Sequence, residues 1–565
     1  MISIHYAAIL ILLCIVAACR AEVDAPPQEV DSARPNILLI VADDLGYSDL
    51  GSYGGEIATP TLDRLAGEGV RFSGFHVLPT CSPTRAALMS GNDNHVAGMG
   101  VMAEFIYPAI AKLPGYVGHL ADQVATLPEI LRGSGYHTYM AGKWHLGVDD
   151  DQSPYARGFE QTFTMMNGGG SHWADMRPLT MAEPMTYRRN GERIDELPDD
   201  FYSTTDYTDA LIAFIDSNRA DGRPFFGYLS YTAPHDPLHA PADYIEKYRG
   251  KYDEGWDALA VRRLAGLKEL GLVPAGLAEF PPNFMTTPWE ELSMEDRRKY
   301  TRDMEVYAAM VDYMDMSIGR LFDYLRKIEL YDNTLIVFIS DNGANGAHAR
   351  AYPGNLDGAY LATFDNTHEN RGLENSFIDM GPGWAQAVSA PFRFFKSFTS
   401  QGGIKAPMIV KAPGERSGAG QWNHSFIHVT DILPTFLEVA VATYPDELDG
   451  RLLRTPIGRS IIPILEGAAG SIRGQDDGVG YELFEMKAYI RGDWKLLRLP
   501  EPFGSGEWAL YNLAEDPGEI HDVSDDHPEV KASMIQAWQE YAKTNDVFDH
   551  RGVFDELYRK AYGAP

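Results

Sequence analysis

Cysteine is scarce in this chain: three residues, Cys14, Cys19 and Cys81, in 565. So few exclude a disulfide framework as the main source of stability. Basic residues are also sparse, 48 Lys and Arg against 80 Asp and Glu, for a formal net charge of −32. A field of that sign repels polyanions, which argues against nucleic acid as a partner and disfavours highly sulfated polysaccharides. A small anion can still be drawn in by a local basic pocket. The N-terminal apolar run, Ala7 to Ala18, is too short for a membrane span and has the length of a signal-peptide core. No internal repeat, heptad or low-complexity tract occurs.

What is present reads as globular. Hydrophobic content of 45% and charged content of 23% are ordinary. The length predicts a large domain with a smaller companion. Val16-Ala17-Ala18-Cys19 resembles a bacterial lipobox. Residues 1–18 are therefore expected to be a lipoprotein-type signal peptide and 19–34 a flexible tether. The mature chain would be exported to the periplasm or outer membrane and lipid-anchored at Cys19. Met1 to His5 lacks Lys and Arg, so a cleaved, non-lipidated signal is the alternative. Either way Cys81 has no partner for a disulfide within the chain, and a lone thiol in an exported protein calls for a role.

Several short apolar runs end abruptly in polar residues. Ile37 to Val41 ends at Asp43-Asp44, and Tyr136 to Met140 ends at Lys143-Trp144-His145. Phe225 to Leu229 leads to His235, and Leu335 to Ile339 ends at Asp341-Asn342. Runs of this kind suit strands buried on both faces of a parallel sheet. Helical stripes lie between them, such as Met304, Tyr307, Ala308, Val311, Met314, Ile318, Leu321 and Leu325. The pattern predicts an α/β fold, a large mostly parallel sheet flanked by helices, with ligands beyond the carboxyl ends of the strands. From about Tyr444 the texture changes to short strands between Tyr481 and Tyr511 and a closing helix near Val530 to Lys543. Residues 35–443 are expected to form the catalytic domain and 444–565 a smaller α+β subdomain with an antiparallel sheet.

Thr80-Cys81-Ser82-Pro83-Thr84-Arg85 precedes Ala86-Ala87-Leu88-Met89-Ser90-Gly91. Pro83 suits a first helical turn, so Cys81 would sit at a helix N-terminus, where the dipole favours an anion. Arg85, one turn on, can point to the same place. Asp43, Asp44, Asp341 and Asn342 form an all-oxygen set, which selects calcium or magnesium over zinc.

Cys81-Ser82-Pro83-Thr84-Arg85 resembles the sulfatase signature, and Gly142-Lys143-Trp144-His145-Leu146-Gly147 and Ser340-Asp341-Asn342-Gly343 resemble two further motifs of that family. The texture at Gly55 to Pro60 and Asp516 to Asp522 is similar to bacterial arylsulfatases of the Pseudomonas type. The resemblance implies an alkaline-phosphatase-like fold and hydrolysis of sulfate monoesters, as in an arylsulfatase. It implies conversion of Cys81 to formylglycine (3-oxoalanine) by a formylglycine-generating enzyme, and transfer of sulfate to that residue. It implies one calcium ion, held by Asp43, Asp44, Asp341, Asn342 and the modified residue 81. The catalytic set it implies is Cys81, Arg85, Lys143, His145, His235 and Lys396, with His145 as base in the release step and His235 or Lys396 serving the leaving group. A monomer is expected, touching membrane only through a lipid on Cys19.

Other residues are assigned by context. His95 is expected behind the site, orienting the Cys81 helix, and His239 is a possible deputy for His235. Asp49 and Lys405 are read as structural, Lys405 in a strand-like run. Residues from about Gly250 to Tyr300 and the His172-Trp173 pair are candidates for the pocket rim. A formylglycine-dependent phosphodiester or phosphonate hydrolase, and an unmodified calcium-dependent sulfoglycan binder, are the rival readings.

Overall fold

The computed structural model describes residues 34–181, 184–281, 284–414, 418–550 and 552–553. The expected signal segment and the tether up to residue 33 lie outside the described residues. Among those described, no helix is long and apolar enough to cross a membrane.

The four apolar runs become four neighbouring strands, each fully buried along its length. They are β1 (Asn36–Ala42), β2 (His137–Lys143), β4 (Phe225–Ser230) and β5 (Thr334–Ser340), joined by β3 (Gln161–Met165) and β6 (Met408–Lys411). The sheet runs β6, β5, β1, β4, β2, β3, with short strands Val70–Phe72 and Trp422–Asn423 beyond β6 and Tyr187–Arg189 and Glu192–Ile194 beyond β3. The five strands from β5 to β3 are parallel, and the pairings at β6 and at Tyr187–Arg189 are antiparallel. Burial on both faces is what near-continuous apolar strands require.

Helices flank this sheet. The Met294–Lys327 helix carries the stripe expected from sequence, with Met304, Tyr307, Val311, Met314, Ile318 and Leu325 buried. It packs on the Ser203–Asn218 helix, which covers β2 and β4. The Cys81 segment forms a wholly buried helix, α1 (Cys81–Ser90), closed at Gly91 in the left-handed conformation.

The C-terminal part is an antiparallel sheet of β7 (Gly478–Leu483), β8 (Met486–Arg491), β9 (Trp494–Arg498) and β10 (Ala509–Asn512), covered by the Pro528–Thr544 helix. Two-residue turns join its first three strands, Phe484-Glu485 and Gly492-Asp493. Phe484 and Glu485 both have positive φ, 51° and 72°, as a hairpin turn with the native strand twist demands.

Register places the chemistry. Val41 pairs with Ser230, Ala42 with Ser340 and Gly142 with Ser230. The carboxyl ends of β1, β2, β4 and β5 therefore finish level, and their polar residues emerge at one place. Gly142 (φ 115°) is required there, because a Cβ would lie 1.8 Å from the Ser230 carbonyl oxygen.

Candidate active site

Beyond β1, the Asp43 amide donates to Ala233 O at 3.1 Å. Asp44 then turns into the left-handed region (φ 69°), uncommon for a residue with a side chain. The turn is braced from behind: Asp49 accepts from the Gly46 amide (2.6 Å), the Tyr307 hydroxyl (2.6 Å) and Arg263 Nη1 (3.0 Å). Asp49 is thus structural, as expected, and burial pushes its pKa up to about 6.

No side chain caps the first turn of α1, so the positive end of its dipole is left for the site. Cys81 is 1% exposed. Arg85 reaches from the next turn to Asp341, Nε at 3.0 Å and Nη2 at 2.8 Å, and to the Lys143 carbonyl at 3.0 Å. Its Nη1 also meets Ser230 Oγ.

Lys143 Nζ donates to Asp43 at 2.6 Å, and Lys396 Nζ donates to both Asp44 oxygens at 2.7 and 2.9 Å. His235 Nε2 lies 3.5 Å from Asp44. Three acids and three full cations thus interlock with almost no exposure. Burial would raise the Cys81 thiol, yet Lys143 and Lys396 hold it well below its usual range. Burial opposes charge on His235, but the Asp44 carboxylate pulls its pKa up to about 9. Burial, then the neighbouring Asp43, push Asp341 upward.

All ten residues assigned from sequence are brought to this one place. Ligand atoms of Asp43, Asp44, Cys81 and His235 lie within 4.8 Å of one another. Asp43 Oδ1 and Asn342 Oδ1 are buried without any hydrogen-bond partner. An unpartnered buried oxygen is costly. The two of them, with the carboxylates of Asp44 and Asp341 beside them, fit a hard divalent cation.

Cys81, His145, His235 and Lys396 floor a pocket whose walls are largely apolar. The walls come from Met102, Phe105, Leu179, Ala351, Tyr352 and Phe484. The expected rim is not there. Among the described residues none from 250–300 lines this pocket; Phe280 instead backs the Lys396 loop, its ring 5.6 Å from Phe394. His172 lies one layer back, Nε2 to the His235 carbonyl at 3.1 Å, and Trp173 packs on Tyr202.

Other ancillary expectations also change. His239 is no deputy: its Nε2 donates to Ser376 O at 2.8 Å and its Nδ1 accepts from the His172 amide. His95 pairs with Asp93 (2.9 Å) and Glu482 (3.6 Å), so it ties the segment after α1 to β7. Lys405 follows the short Gln401–Ile404 helix rather than lying in a strand, its ammonium over the Phe392 ring at 4.6 Å.

Four participants escaped the sequence reading. Glu104 lines the pocket and meets His145 Nε2 at 3.4 Å. Asp236, held by Asn345 (2.8 Å) and Tyr352 (2.9 Å), faces His235 Nδ1 at 3.3 Å. Gly168 and Gly169 let the chain press on both histidines: a Cβ would lie 2.7 Å from His145 Cε1 at one and 3.1 Å from His235 Cε1 at the other. The run Gly168-Gly169-Gly170 just beyond β3 was the readable signal.

Comparison with known proteins agrees with this geometry. The Sulfatase family model matches residues 35–442, and the model for the N-sulphoglucosamine sulphohydrolase C-terminal region matches 392–545. The chain is 42% identical to an uncharacterized sulfatase of Schizosaccharomyces pombe, over 91% of this chain and 94% of that one. It is 39% identical to an arylsulfatase of Klebsiella aerogenes, over 72% and 87%. It is 27% identical to human N-acetylgalactosamine-6-sulfatase, over 75% and 67%. Among solved structures, Ps i-CgsB in complex with k-i-k-neocarrahexaose shares the fold, with TM-score 0.65, 24% identity and 93% and 97% coverage.

Proposed function

Because the chain belongs to the sulfatase family, we propose that it is an arylsulfatase-type hydrolase, cleaving sulfate monoesters of small aryl or alkyl alcohols to the alcohol and inorganic sulfate. The observation that carries this reading is a cation-rich floor under apolar walls. The floor suits a sulfate group and the walls suit an apolar leaving group.

Asp43, Asp44, Asp341 and Asn342 would hold calcium, which when bound supplies a Lewis acid against the charge on the sulfate oxygens. Conversion of Cys81 by a formylglycine-generating enzyme would supply a hydrated aldehyde, two hydroxyls on one carbon, in place of the thiol.

The remaining work falls to the chain's own side chains. Lys143, Lys396 and the first turn of α1 present fixed positive charge where negative charge gathers in the transition state. Arg85, locked to Asp341, keeps residue 81 oriented. His235, lining the pocket beside Cys81 with Nε2 3.5 Å from Asp44, is suited to give a proton to the leaving oxygen. The His145 ring has a buried Nδ1 without a hydrogen-bond partner and interacts with residue 81, which suits the proton acceptor of the release step.

The lipobox-like Val16 to Cys19 supports export with a lipid on Cys19, and a monomer completes the proposal. Turnover of 4-nitrophenyl sulfate, compared with the corresponding phosphodiester, tests the activity; peptide mass spectrometry tests residue 81. The sulfate should dominate and residue 81 should be the aldehyde. A faster diester, or an unconverted thiol with no turnover, would overturn the reading.

A further inference from the structure

We infer that Glu104 is a charge filter, restricting the enzyme to monosulfated compounds whose leaving group carries no further anion. The inference rests on the sulfatase reading and narrows its substrate class.

Among the described residues Glu104 is the only acid lining the pocket. It stands on the short turn Ala103–Phe105, and Phe105 packs on Phe484 with ring centroids 5.1 Å apart. Its side chain is 24% exposed and faces His145 Nε2 at 3.4 Å. Its Oε1 would lie 3.4 Å from a Cβ built on Gly168, so neighbouring backbone confines it.

The cations of the lining, His235 and Lys396, already face Asp44. His145, the neutral base proposed above, faces Glu104 and does not cancel its charge. His145, His235 and Lys396 line the pocket with Cys81. The walls beyond them offer no Lys or Arg to a second anion among the described residues. Apolar walls also weaken dielectric screening, so repulsion between Glu104 and a leaving-group carboxylate or second sulfate acts at fuller strength. A neutral alcohol meets no such penalty, and a cationic one gains.

Two near-isosteric substrates test this, 4-carbamoylphenyl sulfate and 4-carboxyphenyl sulfate, by product release for wild type, Glu104→Gln and Glu104→Asp. The quantity read is the ratio of kcat/KM for amide over carboxylate, which cancels any general loss from disturbing His145. Wild type should prefer the amide by on the order of tenfold or more, and Glu104→Asp should keep that preference. Glu104→Gln should bring the ratio close to that set by the two leaving groups alone. An unchanged ratio in Glu104→Gln, or no preference in wild type, would overturn the filter while the sulfatase reading stands. Hydrolysis of neither sulfate would remove that reading, and the filter with it.

Discussion

Two ionic clusters, both mostly buried, lie within a few residues of each other, and they are built differently. Behind the Asp43-Asp44 turn, Arg263 binds Asp49 at 3.0 Å and Glu56 at 2.6 Å, while Tyr307 and Tyr252 donate to the same two acids. None of the side chains in that brace carries an unpartnered buried atom. In the site, Asp43 Oδ1, Asn342 Oδ1 and His145 Nδ1 all do, and Asp44 and His145 hold positive φ. Satisfied charge marks a support, whereas unsatisfied charge and backbone strain mark a place awaiting a ligand.

The same kind of substitution should separate the two clusters. Lys143→Met, tested in calcium-loaded protein, should lower kcat/KM for 4-nitrophenyl sulfate by roughly 10³-fold, with a melting temperature closer to wild type than that of the brace variant. Arg263→Met should destabilise by about 3–5 kcal/mol in urea unfolding, because Asp49 and Glu56 lose their partner, while turnover per folded molecule stays within a few-fold. If Arg263→Met spared stability, or Lys143→Met spared turnover, the distinction between brace and site would fail.

A smaller effect concerns His95, which joins the segment after α1 to the C-terminal sheet. Burial disfavours its charge, but Asp93 and Glu482 raise its pKa to about 9. Raised above the unfolded value near 6.5, it contributes stability that is complete below that value and is lost as pH rises through about 9. Melting temperature should therefore fall across pH 7 to 9 more steeply in wild type than in His95→Gln. Parallel curves would count against the pairing.

Much of the framework was legible because its signals are local. Apolar runs ending in Asp43-Asp44, Lys143, His235 and Asp341-Asn342 fix strands and their polar tips together, and Pro83 places Cys81 at a helix start. What stayed hidden comes from long connections. Glu104 and Tyr352 reach the pocket from irregular segments whose path no periodicity records, and Asp236 is held by Asn345 and Tyr352 from over a hundred residues away. The rim was misplaced for the same reason: the Gly255–Glu269 helix within Gly250 to Tyr300 is conspicuous, but its Trp256, Leu259, Leu264 and Leu267 are spent on the interior.

Phe484 occupies the first position of a two-residue hairpin turn yet forms part of the pocket wall. A turn held by its own ladder can exchange that side chain without reshaping the catalytic sheet. Alterations at a single loop tip can thus retune which alcohols are admitted while the ester-cleaving apparatus goes undisturbed, a cheap evolutionary route from one sulfated compound to another.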